Sequence, residues 1–406
     1  MRIPNKLHNV LVVSIPSYMY GGGIRAIRSL KEYAKHFNVY LFLPWGIWYD
    51  RTLCLELSNT LEKLSREGVK LGGFYKRSSF RLQRPIRFEV PVHYECKIES
   101  NDYNIVVVLR EIWNAVVTGR VLSEYFEIPS VVLLQLPPFY NQKRHERIIN
   151  ALTLYRDLTK ENNKFTTLKE LKDRIGYEVR STVTKFRYEK ILRRYDLVVG
   201  VSRAVAVDMG GECVDKMYCL DPGVSLDDED LEIIRNVRAR VKEKQDYIVF
   251  GGRPVAEKGL TEALIAFKFI SRYSPNLKLV FTGRISPGIY ARVKRVLRRL
   301  GIEDKVVFTG FVSREKRFEI VAKAKLMLYP SHVDAFSYVV LESLHLETPV
   351  VGYRIPALEI YYGKSPGVEL VEKGDIEALT VKTIDVLEKG IEAVEPPKIK
   401  SWRDNE

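Results

Sequence analysis

The chain has 406 residues, too long for one ordinary core and long enough for two α/β domains. Hydrophobic residues make up 46% and charged residues 29%, which excludes a disordered chain, and no apolar run reaches the roughly 18–20 residues of a membrane span. The net charge of +14 is lopsided: residues 1–200 hold 33 Lys/Arg against 20 Asp/Glu and the rest 32 against 31, so the first half either meets something anionic or carries a merely soluble basic surface.

Met1-Arg2-Ile3-Pro4 leads straight into a strand pattern without the layout of a signal peptide, so a cytoplasmic setting is expected. Asn9 to Ile15 is a near-continuous apolar run, as in a buried parallel strand. The glycine cluster Gly21-Gly22-Gly23 follows, then a helical stretch from Ile24 to Phe37 with Ile27, Leu30 and Ala34 at helical spacing, then a strand from Val39 to Pro44. Further strands are expected at Ile105–Leu109, Val131–Leu134 and Leu197–Val201. Cys54, Cys96, Cys213 and Cys219 lack metal-ligand spacing and read as structural thiols in a reducing compartment.

Roughly Arg144 to Tyr195 is long, charged and helical in pattern. Leu171, Ile175, Val179, Val183 and Phe186 form an apolar stripe flanked by Lys and Arg. The stripe fits a helix packed on its own sheet with a solvated basic face. The competing reading is an amphipathic surface that approaches an anionic membrane or acceptor.

The second half alternates more cleanly. Strands fit Tyr247–Phe250, Leu277–Thr282, Val306–Thr309, Leu326–Tyr329 and Pro349–Tyr353, with helices at Thr261–Tyr273, Ser286–Leu300 and Glu315–Lys323 between them. Such alternation implies a parallel sheet covered on both faces. The domain boundary falls within Asp221–Asp246. The division taken is 1–225, 226–390 and a short terminal segment, 391–406, that returns to the first domain. Asp227-Asp228-Glu229-Asp230 reads as the acidic cap of a linker helix from Leu231 and not as a metal motif.

Two segments carry the chemistry. In Tyr329-Pro330-Ser331-His332-Val333-Asp334-Ala335-Phe336-Ser337-Tyr338-Val339-Val340-Leu341-Glu342 a strand ends at Pro330 and a helix is expected from near Ala335. The loop lies at a carboxyl strand end, where open α/β sheets bind ligands. On a continuous helix Asp334 and Glu342 would sit about 12 Å apart along the axis and within ~80° around it. Two such carboxylates can each accept hydrogen bonds from paired hydroxyls. The second segment is Phe250-Gly251-Gly252-Arg253-Pro254-Val255-Ala256-Glu257-Lys258-Gly259, at the end of its domain's first strand. Its glycines allow close backbone approach. Arg253 and Lys258 place two cations where a departing diphosphate would gain charge.

Gly-Arg-x-x-x-Glu-Lys-Gly, with an acid and a Glu eight positions later, resembles the retaining glycosyltransferases of family four (group 1). The Gly21–Gly23 loop, Asp196–Ser202, Asp221–Ser225, Val307–Phe311, Thr348–Val351 and Ser401-Trp402 extend the likeness over most of the chain. The resemblance implies two Rossmann-like domains facing across a cleft, the GT-B fold. It implies transfer of a hexose from a UDP- or GDP-sugar, with retention and without metal or cofactor. By position, Arg253 and Lys258 would hold the donor diphosphate, Asp334 would lie beside the donor sugar and Glu342 on the ribose. Backbone groups near Phe336, Ser337 and Tyr338 would add phosphate or sugar contacts. Gly252 would admit the diphosphate, Gly310 would meet the nucleobase, and Gly22 and Gly23 would aim a first-domain helix at the diphosphate.

The chain departs from the family pattern at three places. Asp334 replaces a Glu, Gln135 stands where the family often has a His, and Glu347 replaces a Gly. A degenerate sugar-nucleotide-binding subunit and a sugar-nucleotide epimerase are the alternatives. The basic first half implies an anionic or lipid-linked acceptor and peripheral contact with an anionic membrane at the inner surface. Nucleic acid is not expected as a partner, because no aromatic-basic recognition motif accompanies the charge. His332, near Asp334, reads as an incidental loop residue or one lining the cleft, and the six histidines lack ligand spacing.

Overall fold

The apolar run after Asn9 becomes β1 (Asn9–Val13), with every residue from Val10 to Val13 buried. A strand so covered must have neighbours on both sides, and β1 pairs in parallel with β2 (Asn38–Leu43) and β5 (Ile105–Val108). The structure, a computed structural model, describes residues 8–17, 21–46, 51–77, 94–99, 101–140, 154, 158, 182–210, 217–220, 226, 228–283, 285 and 287–398. They group into two compact units divided after Leu220, with Leu154 and Leu158 in the second. The Asp221–Ser225 turn, Ser401-Trp402, Cys213 and most of the 144–195 stripe lie outside the described residues.

The first unit is an eight-stranded sheet ordered β4-β3-β2-β1-β5-β6-β7-β8. The other strands are β3 (Lys70–Arg77), β4 (Tyr94–Ile98), β6 (Ser130–Leu134), β7 (Leu197–Gly200) and β8 (Met217–Cys219). All pairs are parallel except β3 with β4. Helices α1 (Gly21–His36), α2 (Arg51–Arg66), α3 (Trp113–Phe126) and α4 (Arg203–Met209) make the crossovers, together with helical residues 182–192. Helix α1 buries Ala26, Ile27 and Leu30 against Val10, Val12 and Leu41. Each large aliphatic side chain so placed contributes about 1.5–3 kcal/mol. Gln135 does not stand free at its strand end: its Nε2 donates to the Leu109 carbonyl at 2.7 Å, and its N–H to Glu111 Oε2 at 3.2 Å.

The second unit is a six-stranded, wholly parallel sheet ordered β11-β10-β9-β12-β13-β14. Its strands are β9 (Tyr247–Phe250), β10 (Lys278–Phe281), β11 (Val306–Phe308), β12 (Met327–Tyr329), β13 (Val350–Tyr353) and β14 (Val368–Val371). Its helices are α5 (Asp228–Arg240), α6 (Leu260–Tyr273), α7 (Pro287–Leu300), α8 (Arg314–Lys323), α9 (Tyr338–His345), α10 (Pro356–Tyr362) and α11 (Ile376–Lys389). Register puts Phe250, Phe281 and Phe308 side by side, with ring centroids 4.8 and 4.9 Å apart. Aromatic pairs at such spacings add about 0.5–1.5 kcal/mol beyond burial. The acids Asp228, Glu229 and Asp230 lie inside the first turn of α5, which begins before the expected Leu231. Near the end of the described chain, the Glu395 N–H donates to the Pro366 carbonyl at 3.1 Å, which ties that segment to this unit.

Both sheets change the direction of strand succession once: between β1 and β5 in the first unit and between β9 and β12 in the second. At such switch points the loops on either side leave for opposite faces, opening a crevice at the carboxyl strand ends. The Gly21–Gly23 cluster serves the first of these. It forms the first turn of α1, and a Cβ at Gly23 would stand 2.3 Å from the Ser17 carbonyl oxygen and 2.7 Å from its nitrogen. Backbone cannot yield as a side chain can. Gly23→Ala is therefore expected to destabilise the first unit by about 2–3 kcal/mol, read as a lower Tm, whereas an unchanged Tm would contradict the close packing of α1 on Ser17.

Candidate active site

The β9–β12 switch point brings together the two segments singled out in the sequence. Gly251 sits where β9 leaves the sheet, and a Cβ there would meet Tyr329 Cδ2 at 2.6 Å and Met327 Sδ at 2.8 Å. Gly252 turns the chain with φ +112°. A single 3-10 turn, Ala256–Lys258, ends at Gly259 with φ +75°. A Cβ at Gly259 would lie 2.0 Å from the Pro330 carbonyl oxygen. Glycine is thus needed twice over at position 259, for its backbone conformation and for the approach of the two loops.

The loops are joined by polar bonds. The His332 N–H donates to the Glu257 carbonyl at 3.0 Å. Lys258 Nζ donates to the Val333 carbonyl at 2.8 Å and to Asp334 Oδ2 at 2.9 Å. Tyr329 Oη also donates to Asp334 Oδ2. Asp334 Oδ1 accepts from the N–H groups of Ala335 (2.8 Å) and Ser337 (3.2 Å), with Phe336 at the limit of range (3.5 Å). Burial alone would raise the Asp334 pKa, but the Lys258 charge and the bonds from Tyr329, Lys258 and Ala335 outweigh it and hold the carboxyl below its ordinary value.

This arrangement corrects the expected helix start. Helix α9 begins at Tyr338, not near Ala335, because Asp334 folds residues 335–337 around its own carboxylate. Ser337 closes the turn in the left-handed region (φ 67°), a conformation that costs a non-glycine residue about 1–3 kcal/mol. Strain of this kind persists where the surroundings over-determine it. Here the Tyr362 hydroxyl donates to the Ser337 carbonyl at 3.1 Å, and Phe336 is buried among Tyr338, Tyr361 and Tyr362. Asp334 and Glu342 therefore do not share one continuous helix.

Glu342 lies in α9 and is 8% exposed. Its carboxylate is held by Arg317 of α8 in a two-pronged pair: Nη2 donates to Oε1 at 2.9 Å and Nη1 to Oε2. The sequence reading missed Arg317. Its position in the second turn of an otherwise charged helix carries no signal that it faces inward. Arg253 differs from both lysine and arginine partners above. Its side chain is exposed and, among the described residues, has no hydrogen-bond or ion-pair partner. Gly310 (φ +70°) accepts from the Gly283 N–H at 2.9 Å, which places the loops after β10 and β11 side by side at the same sheet edge, beside exposed Phe311.

His332 neither stands free nor lines an open surface. It is 3% exposed and its Nε2 bonds Glu262 of α6. The buried Lys373 donates to its carbonyl at 2.7 Å. Glu347, in place of the family's usual Gly, takes the left-handed conformation (φ 53°) and pairs with Arg238. Among the described residues no three His, Cys, Asp or Glu side chains gather as a metal site, and no helix is long and apolar enough to cross a membrane.

Because the folded Asp334 pKa is depressed, its pairing stabilises the protein fully above the ordinary carboxyl value of about 3.9 and is lost as pH falls through the lower folded value. Asp334→Asn is expected to lower stability at pH 7 by about 2 kcal/mol, the scale of a hydrogen bond to a charged group. Thermal unfolding of the two proteins should converge below about pH 4. A gap that stays constant from pH 7 to pH 3 would show that the carboxylate charge is not what holds the loop.

Comparison with known proteins agrees with this geometry. Residues 233–399 match the family model described as glycosyl transferases group 1. The mannosylfructose-phosphate synthase of Agrobacterium fabrum is 22% identical over 267 residues, 63% of this chain and 54% of that protein, so the chain spans about half the length of that relative. Among solved structures, HepE of Anabaena in complex with UDP aligns over 94% of this chain and 90% of its own, with a TM-score of 0.60 and 15% identity. Sucrose-phosphate synthase of Thermosynechococcus elongatus aligns over the same shares, with a TM-score of 0.60 and 13% identity. These structural likenesses establish the fold, two parallel-sheet domains of GT-B type, as the motifs implied. Residues 233–399, somewhat less than half of the chain, are thus similar to the glycosyl transferases of group 1.

Proposed function

We propose that the protein transfers a hexose from a nucleoside-diphosphate sugar to an anionic or lipid-linked acceptor, with retention at the anomeric carbon and without a metal. The observation that carries this reading is the grouping at the β9–β12 switch point. Arg253, exposed and without a side-chain partner among the described residues, stands on the same glycine-hinged loop as Lys258, which is itself fixed by Asp334. Lys258 is the fixed cation and Arg253 the one free to meet a phosphate, and together they can stabilise the charge that builds on a departing diphosphate.

In this scheme the bond from the anomeric carbon to the diphosphate oxygen breaks, and its electron pair goes to the phosphate beside Arg253 and Lys258. The acceptor oxygen bonds the same carbon from the same face. Its proton passes to the departing phosphate oxygen, so no separate protein base is required. Asp334 faces the donor sugar and keeps Lys258 in place, and Glu342 accepts from the ribose hydroxyls. The complexes of HepE with UDP and with UDP-glucose support a UDP-sugar as donor. The excess of Lys and Arg in residues 1–200 supports an anionic acceptor and a peripheral, salt-sensitive approach to an anionic membrane.

A thermal-shift screen of the full chain against UDP-, GDP- and ADP-sugars tests the donor class, with the largest upward shift expected for a UDP-sugar; no shift with any of them would refute the proposal. Arg253→Ala should cut donor turnover by about 10²-fold or more while changing stability by less than about 0.5 kcal/mol, since the side chain is exposed and unpartnered. Unchanged turnover would remove Arg253 from the diphosphate site.

A further inference from the structure

We infer that Arg317 is a positioning residue for the donor ribose, acting through Glu342 and setting the preference of the site for a ribonucleotide. The inference rests on the donor reading above and adds to it a residue that the motifs do not contain.

The argument starts from Glu342. A carboxylate only 8% exposed needs hydrogen-bond partners to offset its loss of water. Arg317 supplies them in the one geometry that also fixes direction. Both guanidinium nitrogens engage, one with each carboxylate oxygen, so the carboxylate plane is locked to the guanidinium plane. Each carboxylate oxygen has two lone-pair sites. The fork occupies the forward-pointing site on each and leaves on each the site that points outward. Each remaining site can accept from one hydroxyl, so one Glu342 oxygen can take the 2′-hydroxyl that a ribose has and a 2′-deoxyribose lacks.

Arg317 is itself held. It lies in α8, its guanidinium stacked 4.8 Å from the Phe318 ring centroid, and the neighbouring Arg314 is anchored to Asp230 of α5 at 2.9 Å. A lysine at position 317 would keep the charge but would meet the carboxylate as a point, leaving it free to rotate. Loss of the arginine would therefore affect the discrimination between sugars, beyond any loss of overall affinity.

Isothermal titration of the full chain with UDP and 2′-deoxy-UDP, and with GDP and 2′-deoxy-GDP, tests this. The wild-type protein is expected to prefer the ribonucleotide by about tenfold or more, the scale of a hydrogen bond to a charged acceptor. Arg317→Met and Glu342→Gln should both reduce the preference to under about threefold, and Arg317→Lys should lie between. A role confined to stability would lower Tm and leave the preference intact, so Arg317→Met or Arg317→Lys with the wild-type preference overturns the inference. Should Arg317→Met fail to fold, Arg317→Lys carries the comparison. A wild-type protein that binds the nucleotides without preferring ribose overturns the inference alone. One that binds no nucleoside diphosphate overturns the donor reading and this inference with it.

Discussion

The ion pair between Lys258 and Asp334 ties two loops that the chain separates by 76 residues, and the form of the site follows from it. The loops leave β9 and β12 on either side of a switch point, where the sheet itself provides no covalent reason for them to stay together. Lys258 bridges them with one ammonium, reaching both the Val333 carbonyl and the Asp334 carboxylate. That bridge demands a close approach, and Gly259 permits it by having no Cβ to meet Pro330. It also fixes Asp334 in the orientation from which Oδ1 gathers the following N–H groups. The late start of α9 and the left-handed Ser337 are consequences of the same bond set.

Each of the two motif carboxylates has its own cation: Lys258 for Asp334 and Arg317 for Glu342. Pairing of this kind adds little net stability once desolvation is counted, yet it sets charge and direction firmly. Arg253 and Glu257, both exposed on the glycine-hinged turn, have no side-chain partner among the described residues. Behind it, the buried His332–Glu262 pair and Lys373 hold the 330–334 loop from the core side.

Periodicity alone located most of the sheets. The runs at Tyr247–Phe250, Met327–Tyr329 and Val350–Tyr353 are short, apolar and bounded by turn residues, so their strand character is local information. Strands β3, β4, β8 and β14 escaped. Lys70–Arg77 carries three basic residues and two glycines, and it becomes a strand because β2 pairs with it, not because its own residues favour it. The acids of α5 were read as a cap before the helix because Asp, Asp, Glu, Asp suits an N-terminus equally well from just outside or just inside.

The residues of the candidate site were nearly all legible as types: two glycines beside two cations, and two acids eight apart. The glycines follow from local chemistry, since a tight turn and a close approach of two loops need them. Their partners were not legible. Asp334 to Lys258, Glu342 to Arg317 and His332 to Glu262 span 76, 25 and 70 positions. A sequence determines which side chains can form such bonds, because that depends on the chemical groups alone. Which ones do is decided by the strand order that brings β9 beside β12 and by the packing that turns α8 toward α9. Hydrogen bonds act only at contact distance, so the pairing became definite only in the folded chain.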